Sequence, residues 1–160
     1  MINNKGTGTV SATGDREIIV SRTFNAVREL VFDAWTDPEH VGRWWGPKGF
    51  TTTTYEMDVR PSGIWRFVMH GPDGVDYPNK IVYIEVVRPD RLVYDHTGGL
   101  KDDINKFQVT VTFVERNGKT NLTMRMVFPS AEAREHIVKT YGAIEGAHQT
   151  LERLAREVES

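Results

Sequence analysis

The spacing of hydrophobic residues changes along the chain, from a helical period of about 3.6 residues to a period of 2 and back again. Between residues 51 and 128 apolar and polar residues alternate, as in the segment 107–113. Such alternation is typical of antiparallel strands with one buried face. Asn117-Gly118 is a strong signal for a two-residue hairpin. We predict about seven strands, and the pattern leaves open which face of 81–87 is buried.

Helical periodicity lies on both sides of this region. After a first strand at about 16–24, apolar residues recur at helical spacing over 27–35, and Asp37-Pro38 begins a second short helix. The longest predicted helix runs from Ser130, its N-cap, to about residue 157. Its buried face is one apolar seam, which consists of Ile137, Tyr141, Ile144, His148, Leu151, Ala155 and Val158. At roughly 1.5 Å per residue this helix spans about 40 Å.

These elements predict an α+β domain, in which a curved antiparallel sheet of about seven strands closes around the long C-terminal helix. Two short helices follow the first strand. A helix is about 10–12 Å across, narrower than the twisted sheet, so we expect space that side chains fill only in part. Gly142 and Gly146 are expected to thin the middle of the helix there. We expect residues 1–14 to be a flexible N-terminal arm and 15–160 to be the single domain.

The predicted space is a pocket for a hydrophobic small molecule, because flexible methionines and large aromatic residues suit apolar ligands. The candidate ligand-binding residues are Trp44, Trp45, Met57, Trp65, Phe67, Met69, Phe107, Met124, Met126, Tyr141, Ile144 and His148. The alternative is that they simply fill a core. Trp44 and Trp45 either gate the pocket, with one indole partly exposed, or close the end of the sheet. His148 is either a hydrogen-bonded core residue or a polar contact for a ligand.

Composition and charge narrow the possible functions. With 20 basic and 22 acidic residues the net charge is −2, which gives no electrostatic reason to expect nucleic acid or an anionic membrane as a partner. The lack of cysteine removes disulfides, thiolate nucleophiles and Cys-ligated zinc. The histidines lack metal-ligand spacing, so we expect no metal and no cofactor. The sequence has no signal-peptide pattern and no apolar run of membrane-spanning length, which predicts a cytoplasmic protein.

Several ordered motifs over residues 15–157 resemble the SRPBCC (START-like) superfamily. More narrowly, they resemble the branch named after the C-terminal domain of the activator of the heat shock protein 90 ATPase. The motifs are Phe32-Asp33-Ala34-Trp35-Thr36-Asp37-Pro38-Glu39-His40, Trp44-Trp45-Gly46-Pro47, Asp58-Val59-Arg60-Pro61-Ser62-Gly63, Trp65-Arg66-Phe67, Arg88-Pro89-Asp90-Arg91-Leu92-Val93-Tyr94 and Glu145-Gly146-Ala147-His148-Gln149-Thr150-Leu151. The resemblance implies the helix-grip (START/Bet v-like) fold and a hydrophobic cavity between the sheet and the long helix. The family's usual Gly-Gly is Ser62-Gly63 here, which changes a turn rather than a site.

Members of this superfamily include ligand binders, co-chaperone modules and, in distant branches, enzymes, so the fold alone does not decide the function. We favour a non-catalytic binder of a hydrophobic or aromatic small molecule and assign no catalytic residue. An interaction protein like the chaperone-ATPase activator is the second possibility. In the family that activity involves an additional N-terminal domain, for which these 160 residues have no room, so chaperone binding is not expected. The third is a small lyase, cyclase or hydrolase using His148 with Tyr141 or Tyr94. The oligomeric state is open, a homodimer included.

Overall fold

The computed structural model describes residues 9–11, 15–97 and 106–159. In these ranges the elements are, in chain order, β1 (Thr9–Ser11), β2 (Glu17–Phe24), α1 (Arg28–Thr36), α2 (Pro38–Trp44), β3 (Thr51–Met57), β4 (Ile64–His70), β5 (Asp76–Val87), β6 (Arg91–Thr97), β7 (Phe107–Arg116), β8 (Lys119–Val127), α3 (Ala131–Tyr141) and α4 (Ala143–Glu159). The strands form one antiparallel sheet in the order β1-β2-β8-β7-β6-β5-β4-β3. The predicted α+β helix-grip architecture is confirmed.

The N-terminal edge of the sheet lies in the segment predicted to be a flexible arm. Thr9–Ser11 of that segment forms β1 and pairs antiparallel with β2. The other arm residues, 1–8 and 12–14, lie outside the described residues. The strand count is therefore eight in the described part of the chain, one more than predicted.

Two helices, not the single long one predicted, cover the sheet at the C-terminal end. The Ser130 hydroxyl caps α3 as predicted and accepts a hydrogen bond from the Ala133 N–H at 3.0 Å. Gly142 ends α3 with a φ of 61°, a left-handed conformation that glycine adopts at little cost. Gly146 lies within α4, and a Cβ there would be 3.5 Å from Pro47 Cγ. The two glycines therefore do not thin the helix face over the sheet.

The registers of the strands settle which face of β5 is buried. Ile81 and Tyr83 point inward and are fully buried. A bulge between Tyr83 and Glu85 then shifts the pairing, so that Val86 lies opposite the buried Leu92. Because a bulge inserts one residue into the alternation, a strict period of 2 could not assign this strand.

A second bulge lies in β3, the strand at the far edge of the sheet. The pairing of β3 with β4 shifts between Thr54 and Glu56, which leaves Tyr55 without a register partner. Tyr55 is 65% exposed. The hydrogen-bonding pattern of this edge strand is therefore irregular halfway along its length.

The core below α1 and α2 is aromatic. Trp45 contacts Trp65 and Trp35 edge-to-face, with ring centroids 4.8 and 5.9 Å apart, a favourable geometry for aromatic pairs. Trp44 donates its indole N–H to the Ala34 carbonyl at 3.0 Å. Trp44 and Trp45 are 0% and 6% exposed. Both indoles therefore lie inside, and the expectation that one stays partly exposed is wrong.

Candidate functional site

The inner face of the sheet faces the C-terminal helices, and we call the zone between them the trough. Its two ends differ in how well it is filled. At one end, Leu151, Leu154 and Val158 of α4 are buried. Towards the α3–α4 junction, Ile144 and Ala147 lie on the same face of α4 as Leu151, seven and four residues before it. Both are only partly buried. The trough is therefore closed at the C-terminal end of α4 and more open near its N-terminal end.

Met124 marks the open part of the trough on the sheet side. It lies on β8 between Leu122 and Met126, which are 0% and 5% exposed. Its cross-strand partners Val20 and Val111 are both 0% exposed. Met124 itself is nevertheless partly exposed. Met124 is therefore a partly exposed side chain within an otherwise buried part of the inner face.

The twelve predicted pocket residues separate into two groups by burial. Five of them belong to the buried core, and these are Trp44, Trp45, Trp65, Phe67 and Met126. Six are partly buried, and these are Met57, Met69, Phe107, Met124, Ile144 and His148. The side chain of Tyr141 lies outside what the structure describes. Within the second group, Met57 lies apart, on the edge strand β3 opposite Trp65.

A loop after α2 covers Met69, and α4 holds that loop in place. A Cβ on Gly46 would lie 3.2 Å from Met69 Cε, so the loop packs directly on this side chain. Arg153 donates from Nη1 to the carbonyl oxygens of Gly46 and Pro47 at 2.9 and 3.0 Å. Its Nη2 donates to the Arg43 carbonyl at 3.3 Å. Burial, reinforced by the charge of neighbouring Arg156, lowers the pKa of Arg153.

His96 is the polar side chain that the sequence interpretation missed. It lies near the end of β6 on the inner face, opposite Ile81 and Phe107. Its ring centroid is 4.9 Å from that of Phe107, 6.0 Å from that of Phe67 and 6.5 Å from that of Trp45. His96 Nε2 is 2.9 Å from Asn79 Oδ1. One imidazole therefore lies among aromatic side chains of the inner face, two of them buried and one, Phe107, partly buried.

The environment of His96 keeps its ring uncharged. Burial among aromatic rings lowers its pKa to about 4, because a cation loses hydration there. Within the described residues, no carboxylate lies within ion-pair distance of the ring. Alternation along β6 is the sequence signal that assigns His96 to the inner face. His96 follows Leu92 and Tyr94 at a spacing of two, and both of these residues are buried.

His148 has a different environment. It is partly buried on α4, and no hydrogen bond or ion pair joins it to another residue in the part of the chain that the structure describes. The interpretation of His148 as a hydrogen-bonded core residue stays a prediction, because the side chain of Tyr141 on the same seam lies outside what the structure describes. Its role as a polar contact for a ligand stays a prediction.

Three polar atoms are buried without partners below α1. They are the hydroxyls of Tyr83 and Tyr94 and the indole Nε1 of Trp35. The two phenol rings lie edge-to-face with centroids 6.2 Å apart. Burial raises the pKa of both tyrosines well above the usual range, so both are neutral. Each of the two tyrosines is 1% exposed.

Shallow depressions on the outside of the described part of the molecule include the following two. The larger, of about 630 Å³, is lined by α1 and the β6–β7 region, including Arg28 and Asp90, whose Nη1 and Oδ1 are 2.5 Å apart. The other, of about 430 Å³, follows the outer side of α3 from Ala131 to Thr140. Neither adjoins the inner face of the sheet.

Over residues 9–11, 15–97 and 106–159, no three potential metal ligands come together. Nor does this part of the chain contain a helix long and apolar enough to span a membrane.

Known proteins resemble the chain in sequence and in fold. A family model described as Activator of Hsp90 ATPase homolog 1-like protein matches residues 25–159. A solution NMR structure of a protein from Arthrobacter aurescens superposes with a TM-score of 0.88 at 23% identity, covering 94% of this chain and 91% of that one. The crystal structure of protein Ms6760 from Mycobacterium smegmatis superposes with a TM-score of 0.82 at 24% identity, covering 92% and 96%. At these identities the likeness shows the fold. No curated protein matches the sequence at a significant level.

Proposed function

The chain belongs to the family of Activator of Hsp90 ATPase homolog 1-like proteins, and from that premise we propose that it binds a hydrophobic or aromatic small molecule in the trough, without catalysis. The SRPBCC fold commonly serves ligand binding or chaperone activation, so the family leaves both open. The observation that favours a ligand is the partial exposure of Met124 among fully buried neighbours on the inner face of the sheet.

The chemistry of the partly buried residues supports an apolar ligand. Phe107, Met124 and Ile144 offer hydrocarbon, thioether and aromatic surface, and His96 is uncharged. Methionine side chains adapt to different apolar shapes because they are unbranched and polarisable. Burying apolar ligand surface against such side chains contributes a favourable free energy of about 25 cal/mol per Å². A cytoplasmic location is a further part of the proposal, and the oligomeric state stays open, a homodimer included.

The test is to fill the trough from the helix side. Ala147 lies four residues before the buried Leu151, on the same face of α4, and packs at the edge of the core. We expect the wild type to bind a neutral naphthalene probe such as 1-methoxynaphthalene, measured by probe fluorescence and by the rise in Tm. Ala147→Phe should weaken that binding at least tenfold, because the added ring occupies the space of the ligand.

Ala131→Phe is the matched control, since it adds the same ring at the outer depression beside α3. It should leave probe binding unchanged. Loss of binding in Ala131→Phe but not in Ala147→Phe would place the probe on the outside and contradict the proposal. A wild type that binds no neutral aromatic probe would contradict it as well.

A role in chaperone activation is the second candidate, and the family description is what favours it. It predicts that the purified chain raises the ATPase rate of an Hsp90-type chaperone and is retained on that chaperone in a pull-down. An unchanged ATPase rate together with no retention would remove this candidate.

A further inference from the structure

We infer that the trough selects aromatic ligands that carry a neutral hydrogen-bond donor, a hydroxyl or an N–H group, which His96 receives at Nδ1. The inference rests on the proposed function and adds the one polar requirement that the ligand must meet. The residues that carry it are His96, Asn79 and Tyr77, which lie on β5 and β6.

The orientation of the Asn79 amide follows from its two hydrogen bonds. Asn79 Nδ2 donates to the carbonyl oxygen of Tyr77 at 2.9 Å. The other amide atom, Oδ1, therefore lies 2.9 Å from Nε2 of His96. An amide oxygen is an acceptor only, so Nε2 must carry the proton that is shared in this bond.

The tautomer of His96 follows in turn. A neutral imidazole holds one proton, and Asn79 places that proton on Nε2. Nδ1 is then a lone-pair acceptor, and it has no hydrogen-bond partner among the residues the structure describes. His96 lies on the inner face opposite the partly buried Phe107, so a ligand packed on Phe107 would lie beside the ring.

The surroundings of the ring decide what kind of donor it accepts. The partly buried Phe107 offers aromatic surface beside the imidazole, and the buried rings of Phe67 and Trp45 lie on its other sides. A ligand cation would lose its hydration there, and a ligand carboxylate would set one acceptor against another. A phenol or an aromatic N–H compound is neutral and carries a donor. Its aromatic ring can pack on the protein's rings while its donor pairs with Nδ1.

Three naphthalenes of nearly equal size test this selectivity. 1-Naphthol carries a neutral donor, 1-methoxynaphthalene carries none, and 1-naphthoate is an anionic acceptor. At pH 7 we expect 1-naphthol to bind about five- to tenfold more tightly than 1-methoxynaphthalene, the effect of one neutral hydrogen bond. 1-Naphthoate should bind more weakly than both. Dissociation constants measured by fluorescence and calorimetry provide the comparison.

Two variants remove or reverse the acceptor. His96→Phe keeps an aromatic ring and should lower 1-naphthol affinity to that of 1-methoxynaphthalene, whose own affinity should stay within about twofold. Asn79→Asp puts a carboxylate next to Nε2, which favours the protonated ring and turns Nδ1 into a donor. In that variant 1-naphthoate should gain at least tenfold relative to 1-naphthol. His70→Phe is the matched control, since His70 lies on the outer face, 2.8 Å from Asp76, and should leave all three affinities unchanged.

The outcomes separate this inference from the proposed function. Equal binding of 1-naphthol and 1-methoxynaphthalene to the wild type would overturn the role of His96 while leaving a ligand trough intact. Absence of binding by all three probes would overturn the proposed function itself. The tautomer has an independent readout, the ¹⁵N chemical shifts of the His96 ring. A ring protonated on Nδ1 at pH 7 would contradict the inference even if His96→Phe failed to fold.

Discussion

Nη1 of Arg153 on α4 lies 2.9 Å from the carbonyl oxygen of Gly46, just beyond the end of α2. The same guanidinium also reaches the carbonyl of Pro47 in the loop and that of Arg43, which the end of α2 leaves without an intrahelical partner. A cation near a helix C-terminus also interacts favourably with the helix dipole. Arg153 therefore ties the loop that covers Met69 to α4.

The first prediction concerns this tie. Arg153→Met keeps the apolar stem but removes the donors, and should lower the free energy of unfolding by about 2 kcal/mol, because hydrogen bonds from a charged group are lost. Urea denaturation followed by tryptophan fluorescence measures the change. Arg156→Met is the control: its side chain is 76% exposed and 3.6 Å from Glu152. It should change the free energy of unfolding by less than about 0.5 kcal/mol. An equal loss in both variants would show that Arg153 stabilises only as a surface charge.

The second prediction distinguishes a broken C-terminal helix from a continuous one by the sign of an effect. Gly142→Ala should destabilise by about 1 kcal/mol, since alanine disfavours a φ of 61°. Gly146→Ala should instead stabilise by about 0.5–1 kcal/mol, because Gly146 has a helical backbone and its new methyl group would meet Pro47 Cγ at 3.5 Å, an ordinary contact. Thermal and urea unfolding give both values. Stabilisation by both substitutions would mean that α3 and α4 form one helix.

The third prediction concerns the unpartnered hydroxyl of Tyr94. Removing it in Tyr94→Phe should leave the free energy of unfolding unchanged or raise it by up to about 1 kcal/mol, since a buried polar group without a partner is unfavourable. Thr120→Val is the comparison, because the Thr120 hydroxyl donates to the Ala26 carbonyl at 2.7 Å. That variant should lose about 1–2 kcal/mol. A similar loss in Tyr94→Phe would show that the phenol has a hydrogen-bond partner, either a water molecule or the Trp35 indole N–H.

The fourth prediction follows from the pKa of His96, about 4 in the folded chain against about 6.5 for an unperturbed histidine. Between these values the unfolded chain binds more protons than the folded chain, so stability falls as the pH is lowered from about 6.5. Below about pH 4 the free energy of unfolding is lower than at pH 7 by at most about 3 kcal/mol from this one group. His96→Gln should lack this component. The measurement is the difference in unfolding free energy between wild type and variant over pH 4–7, and a constant difference would contradict the shifted pKa.

Much of the fold could be predicted because local patterns determine it. Asn117-Gly118 has positive φ at both residues and joins β7 to β8, as its turn chemistry requires. Asp37 accepts a hydrogen bond from the Glu39 N–H at 2.9 Å and begins α2 at Pro38. These signals depend on a few adjacent residues, so they can be recognised without knowing the rest of the structure.

The candidate site was less predictable because burial depends on distant packing. Val27 and Leu30 fit the apolar pattern of α1, yet they are 43% and 45% exposed. Hydrophobicity marks a face that tends to be buried, but the neighbouring elements decide whether it is covered. For the same reason the sequence predicts a pocket position for Trp45, whereas contacts from α1 and β4 place it in the core. The role of His96 could not be predicted from the sequence, because the position of its proton depends on the hydrogen bond to Asn79 on the neighbouring strand.

The irregularity at Tyr55 bears on how copies of this molecule meet. A regular margin of a β-sheet offers a ladder of free amide and carbonyl groups on which another polypeptide can polymerise. In β3 that ladder is interrupted between Thr54 and Glu56, and a large ring projects beside the interruption. A foreign strand docking here would lose its register after a few residues, so this margin of the sheet resists stacking into fibrils.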